Sequence, residues 1–292
     1  MKEHLLVKVT AVAIAASAMI ASSLMSFAQA PQTQAPETWP GAVISVSGSA
    51  TISTKSMSPG GEILAVWYSL PPGKTVTDPA TAAKWAWFEM ALSGSATVTG
   101  APTPMCRPLN AGGRQAAASE RTTDAGDVEV CNYAILPESR TENQGTQPYL
   151  FAGLAVGGPW KEDMEDDTEL YLKVNGLAKT AQVTSAQFRE VEKEILKAGS
   201  MTVAIRNVTI PPGARIVTTD HYPTVRMVEN GQLILSSTPK GSDAAVQKVL
   251  AAFDMIGWSP ANAEEQIVLS NSGDQPVQFV EWTVAPAQGA KP

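Results

Sequence analysis

The sequence predicts a mainly β protein in which one small β-domain is used twice in tandem, with a few short helices. Three repeated patterns carry this. A strand-like run ends in Pro-Pro-Gly at two places, Ile63–Leu70 before Pro71-Pro72-Gly73 and Val203–Ile210 before Pro211-Pro212-Gly213. Each run is followed by β-rich segments around a single glycine, Gly94 in one copy and Gly231 in the other. Each copy then places Asn-x-Gly before a strong strand: Asn143-Gln144-Gly145 before Tyr149-Leu150-Phe151, and Asn271-Ser272-Gly273 before Val277-Gln278-Phe279. Proline fixes φ and lacks an N–H, while glycine tolerates the left-handed conformation, so Pro-Pro-Gly reads as a strand-ending turn.

The chain begins with an uncharged run, Val9–Ala28, behind Lys2 and Lys8, and closes it with Ala28-Gln29-Ala30. That is the pattern of a secretory signal with a small-x-small cleavage site, so residues 1–30 are set aside from the fold. The competing reading is an uncleaved anchor, because about 20 apolar residues can span a bilayer. Residues 31–41, rich in Pro, Gln and Thr, read as a flexible leader. Ala42–Thr54 alternates apolar and polar residues as a half-buried strand does. Ile63–Leu70, Trp85–Met90 and Ser95–Val98 follow as strands, the last two straddling Gly94. Residues 101–123 read as a long inserted loop, after which Ala125-Gly126-Asp127-Val128 resumes β-structure and Pro148–Val156 forms a strong strand.

Residues 42–160 thus form an N-terminal unit, 161–199 an acidic linker and helix, 200–286 a C-terminal unit, and 287–292 a tail. The linker holds six carboxylates between Glu162 and Glu169; Ca²⁺ takes such oxygens, but the spacing lacks an EF-hand's glycine, and a solvated linker is the default. Thr184–Ala198 reads as a helix, with Thr184 and Gln187 as a capping box and Phe188, Val191, Ile195 and Leu196 as its apolar stripe. A second helix is expected over Ser242–Phe253, with Val246, Val249, Leu250 and Phe253 on one face. Strands at Gln266–Leu269 and Val277–Val284 close the chain.

The formal net charge is −7, which disfavours polyanions and hence nucleic acid as a partner. No second long apolar run follows the signal, so no membrane span is expected after cleavage. Two cysteines, Cys106 and Cys131, in an exported chain are expected to form a disulfide; free thiols or metal ligands are the alternatives. The localisation expected is periplasmic or extracellular.

The repeated Pro-Pro-Gly, glycine and Asn-x-Gly patterns, with Ala125-Gly126-Asp127-Val128, resemble those of the cupin superfamily, and the whole chain resembles a bicupin. The resemblance spans about 220 residues and implies one jelly-roll type double-sheet β-barrel per repeat. It also implies a test of chemistry. Many enzymatic cupins hold a metal with two His and a Glu from a first motif and a His from a second. Counted back from the motif glycines, these positions fall here on Thr219, His221, Thr224 and Ile267, and on or near Pro79, Thr81, Trp87 and Ser139. The chain has only two histidines, His4 in the signal segment and His221. A three-His site is therefore impossible in one protomer, and no cofactor is expected; a carboxylate metal site is the weaker alternative. A homodimer is an expectation by analogy to cupins only.

His221, flanked by Asp220 and Tyr222, falls where the family's motif faces the interior, and a lone His can act as a general acid or base. On strand alternation Thr224, Arg226 and Val228 share one face, so Arg226 is a candidate anchor for an anionic ligand. Both also read as a vestigial His with a surface Arg. In the first copy Trp85, Trp87 and Glu89 alternate onto one face and Trp67 lies on the neighbouring segment, which suits a small organic ligand, aromatic or carboxylate-bearing, or else a packed core. No Gly-x-Ser-x-Gly, Walker or His-Glu-x-x-His motif occurs. The function expected is ligand binding. A metal-independent isomerase, lyase or cyclase using His221, with Arg226 steering, is the alternative.

Overall fold

The structure is a computed structural model that describes residues 41–54, 62–78, 85–100, 106–108, 120–133, 138–157, 182–188, 195, 198–238, 245–258 and 266–287. The signal, most of the leader, the carboxylate run at 162–169 and most of the 101–123 loop lie outside these residues. Among the described residues every regular element is a strand.

The first strand, β1 (Val43–Ser53), is followed by a unit of β2 (Glu62–Leu70), β3 (Thr75–Asp78), β4 (Trp85–Ser93), β5 (Ser95–Thr99), β6 (Cys106–Pro108), β7 (Glu120–Asp124), β8 (Val128–Tyr133), β9 (Ser139–Glu142) and β10 (Tyr149–Gly157). After β11 (Gln182–Phe188) comes a second unit of β12 (Ser200–Ile210), β13 (Arg215–Thr219), β14 (Thr224–Asn230), β15 (Leu233–Thr238), β16 (Val246–Leu250), β17 (Met255–Trp258), β18 (Gln266–Ser270) and β19 (Val277–Pro286).

Each unit is a pair of antiparallel sheets with the same strand order. In the first, β2-β10-β4-β8 faces β3-β9-β5-β7; in the second, β12-β19-β14-β17 faces β13-β18-β15-β16. The sheets are paired layers rather than closed barrels. Inside the first unit Tyr68, Leu70, Val76, Ala91, Ala96 and Tyr149 pack together; inside the second, Ile216, Leu233, Leu235, Ile267, Leu269 and Phe279 do so. A third and larger core joins the two big sheets back to back, with Trp67, Phe88, Met90 and Leu154 from one unit against Ile205, Met227, Val280 and Trp282 from the other.

Two edge strands are exchanged. β1 precedes the first unit but pairs antiparallel with β12 of the second, Ala50 opposite Val203. β11 precedes the second unit but pairs with β2 of the first, Ala186 opposite Ala65. The N-terminal unit expected over 42–160 is therefore completed by a strand from 161–199, and gives its own leading strand away.

Both expected helices are corrected over the residues the structure describes. Thr184–Phe188 lies within β11, because β2 offers an open edge whose N–H and C=O groups the segment satisfies; sheet pairing overrides the local helical pattern. Of the rest of that stripe only Ile195 is described, with helical backbone and fully buried. Val246–Leu250 is an edge strand, β16, and its Val246 and Val249 are exposed rather than packed.

The repeated motifs are matching clamps. Asn143 donates its side-chain amide to Leu70 O and Gln147 O and accepts from Gly145 N. Asn271 does the same with Ile210 O, Gln275 O and Gly273 N. Gly73 and Gly213, both at positive φ, donate to the Asn143 and Asn271 carbonyls. Each clamp ties the Pro-Pro-Gly turn to the start of the strand that closes the sandwich.

Candidate functional site

Corresponding strands can be aligned by counting from these landmarks, which puts four positions of each unit in one row across the large sheet, with side chains turned into the unit. In the first unit the row is Val66, Gly153, Glu89 and Glu129. In the second it is Arg206, Glu281, Arg226 and Ile256.

The second row is a closed ion network. Arg226 donates from both terminal nitrogens to Asp220 at 2.8 Å and from Nε to Glu281 Oε2 at 2.8 Å. Arg206 Nε lies 3.3 Å from Glu281 Oε1. Arg226 is 0% exposed and Glu281 2%. Burial opposes the charge on Arg226, but Glu281 and Asp220 outweigh it and hold the guanidinium above its ordinary range. Burial also pushes the Glu281 carboxyl up, against the pull of Arg226 and Arg206. Two guanidinium groups thus face two carboxyl groups with no member unpaired.

The structure places His221 and Arg226 in different environments. Asp220, not His221, turns inward from the end of β13; His221 and Tyr222 are exposed. Arg226 is neither a surface residue nor a free anion anchor. The sequence missed Asp220 and Glu281 as its partners, since they stand 6 and 55 residues away.

The first row differs. Glu129, 5% exposed, takes both its oxygens to Arg121 Nε at 3.0 and 2.9 Å and also accepts from Thr123. Burial raises the Glu129 carboxyl above its usual range, Arg121 pulls it down, and Glu89 raises it again. Glu89, directly opposite Glu129, accepts from Tyr149 Oη at 2.6 Å and from Trp87 Nε1 at 3.2 Å. Burial, then the neighbouring Glu89, pushes the Tyr149 hydroxyl well above its usual range, so Tyr149 stays the donor.

Aromatic rings surround Glu89. Phe151 stacks on Tyr68 at 5.0 Å, meets Trp87 edge-on at 6.2 Å and lies 5.8 Å from Tyr149. Trp87, Glu89 and Phe151 are half-buried, unlike Arg226 and Glu281 in the second row. Of the other sequence candidates, Trp67 faces the opposite way, into the core between the units, 1% exposed. Trp85 lies opposite Tyr133 at the start of β4. Cys106 and Cys131 stand directly opposite each other on β6 and β8.

The layout is bicupin-like. The resemblance implies one double-sheet unit per repeat, and the two units share one strand order; the exchanged edges and the paired Asn clamps are further features of the structure. No family model matches the chain, and no curated protein does. Among solved structures, the chain is similar to the oxalate decarboxylase of Lactobacillus farciminis in complex with formate (15% identity, 88% of this chain and 89% of that one, TM-score 0.49). It is likewise similar to the Bacillus subtilis oxalate decarboxylase, a protein with Mn(II) centres (15% identity, 87% and 78% coverage, TM-score 0.49).

The positions that the cupin resemblance assigns to metal ligands hold few ligating side chains. In the second unit Thr219 and His221 are exposed, Ile267 is apolar, and the carboxylates of the interior are engaged by a guanidinium that would repel a cation. In the first, Glu89 and Glu129 share the interior with Arg121, and the described residues contain no group of three or more ligating side chains. No described helix is long and apolar enough to cross a membrane.

Proposed function

We propose that this protein is an exported small-molecule-binding protein, with the ligand held in the first unit against Trp87, Glu89 and Phe151, and with the second unit a structural partner. One contrast carries the reading. At matching positions the first interior leaves Trp87, Glu89 and Phe151 half-buried, although Glu129 and Tyr149 are buried, while the second is sealed by its own ion network. A rigid aromatic wall with one convergent polar group is the ordinary composition of a small-ligand site. The reading needs no metal and gives no role to His221, whose imidazole is on the outside.

Export rests on the signal pattern of residues 1–30. A Cys106–Cys131 disulfide fits an oxidising compartment and the opposed backbone positions of the two residues, since paired antiparallel positions are about 4.5–5.5 Å apart at Cα, within disulfide range.

Native mass spectrometry of protein purified from the exported fraction tests the binding reading. A small molecule should be retained by the wild type and by His221→Ala, and lost from Trp87→Ala. Retention by Trp87→Ala with loss from His221→Ala would overturn it. Absence of any mature exported form would overturn the localisation.

A further inference from the structure

The duplication supplies an internal control for the charge of the site. Both units place two carboxyl groups in the interior: Asp220 and Glu281 in one, Glu89 and Glu129 in the other. The second unit matches them with two guanidinium groups, Arg206 and Arg226. Among the described side chains the first supplies Arg121, and Arg121 is committed to Glu129. Val66 stands where the second unit has Arg206, and Glu89 itself stands where it has Arg226. Among the described residues no cation pairs with Glu89; its partners are a phenol and an indole N–H.

Resting on the binding function above, we propose that the ligand of the first unit is an organic ammonium with an aromatic body, its positive charge held by Glu89 and its body by Trp87 and Phe151. The chemistry agrees on each side. A carboxylate near a half-buried interior favours an opposite charge, and screening there is weaker than in water. The faces of Trp, Tyr and Phe attract a cation through the ring quadrupole, Trp most strongly. An anionic ligand would meet Glu89 and Glu129, and among the described side chains Arg121, already engaged, to offset them.

Titration of the wild-type protein with three probes of similar shape, followed by tryptophan fluorescence, tests this: phenethylammonium, phenethyl alcohol and hydrocinnamate. Phenethylammonium should bind about tenfold tighter than phenethyl alcohol, a difference of ~1.4 kcal/mol, with hydrocinnamate weakest. Glu89→Gln keeps one acceptor oxygen, for Tyr149 or for Trp87 but not both, and should abolish the preference for the ammonium. Equal binding of the alcohol, or tighter binding of hydrocinnamate, overturns the charge assignment and leaves the binding function standing. Failure of all three overturns the ammonium proposal, while the retained-molecule measurement decides the binding function independently. The wild-type series is decisive even if Glu89→Gln does not fold.

Discussion

The ring of Phe253, on a turn of the second unit, meets Trp67 of the first edge-on, with centroids 5.9 Å apart and planes at 84°. Phe253 is also the one described non-glycine residue at positive φ, 70°. Its turn has the hydrogen bonds of the first unit's Ala125-Gly126-Asp127 turn: Phe253 N donates to Val228 O as Gly126 N does to Ala91 O, and Asp254 caps Ala251 N as Asp127 caps Asp124 N. The left-handed conformation costs an L-residue about 1–2 kcal/mol, which the contact with Trp67 offsets. Phe253→Gly should therefore be more stable than Phe253→Ala by about 1 kcal/mol, although both fall below the wild type. In a helix the order would be reversed, so urea midpoints of the two variants decide between the turn and the helix that the local sequence suggests.

Removing Arg226 should leave Asp220 buried without its guanidinium and Glu281 with Arg206 alone of the two. Arg226→Met should cost about 3–5 kcal/mol. Adding Asp220→Asn and Glu281→Met should restore much of that loss, because the penalty belongs to unpaired charges more than to missing contacts. Thermal denaturation of the single and triple variants checks it; an Arg226→Met protein of wild-type stability would contradict the closed network.

The Asn clamps make a paired test. Each Asn makes three hydrogen bonds and is buried. Asn143→Ala and Asn271→Ala should each cost about 2–4 kcal/mol, since they leave buried carbonyls without donors. Asn→Asp should be no milder, as a carboxylate cannot donate to either carbonyl. Matching losses at the two sites, read from urea unfolding, would mark them as one motif used twice.

The features legible in the sequence were those written as short local patterns. Pro-Pro-Gly, Asn-x-Gly and the single glycines each fix a turn by their own backbone chemistry, so the duplication and most strands follow from them. The turn at Ala251–Asp254 was hidden because Phe253 stands where the first unit has Gly126. β11 and β16 read as helices because their apolar spacing fits either period, and only the open edges of β2 and β15 select the strand. Trp67 and Trp87 are both tryptophans on β-strands, yet one faces the neighbouring unit and the other its own interior. Asp220, Arg226, Glu281 and Arg206 come together only through the sheet, and alternation could place Arg226 on the inner face without naming its partners.

Glu129 gives the chain a pH dependence of definite sign. Burial raises its folded pKa above the ordinary 4.5. Below 4.5 both the folded and unfolded states hold the proton. As pH rises from there, the unfolded chain releases it first, so the folded state binds more protons and loses stability until its own carboxyl ionises. Stability should fall across that window, and Glu129→Gln should flatten the slope while lowering the baseline, since Arg121 loses its partner. Urea midpoints from the acid side of that value to neutrality test it; an unchanged slope in Glu129→Gln would assign the dependence elsewhere.

Gly153 is where the two interiors part. A Cβ at Gly153 would stand 2.5 Å from Trp87 Cζ2, so the indole lies directly over the bare backbone of β10. In the second unit the equivalent positions are Glu281 and Thr224: a large residue has moved to the other strand and a small one has replaced the ring. The two units fill one volume from opposite sides, with an aromatic in the first and a paired carboxylate in the second. Gly153→Ala should therefore push Trp87 aside, break its hydrogen bond to Glu89 and cost about 1–3 kcal/mol by overpacking. Adding Trp87→Thr should relieve the clash and recover stability, yet leave phenethylammonium unbound because the ring that faces it is gone. Recovery of both stability and binding in the double variant would show that Trp87 only fills space, and the ligand would then have to be sought elsewhere in the fold.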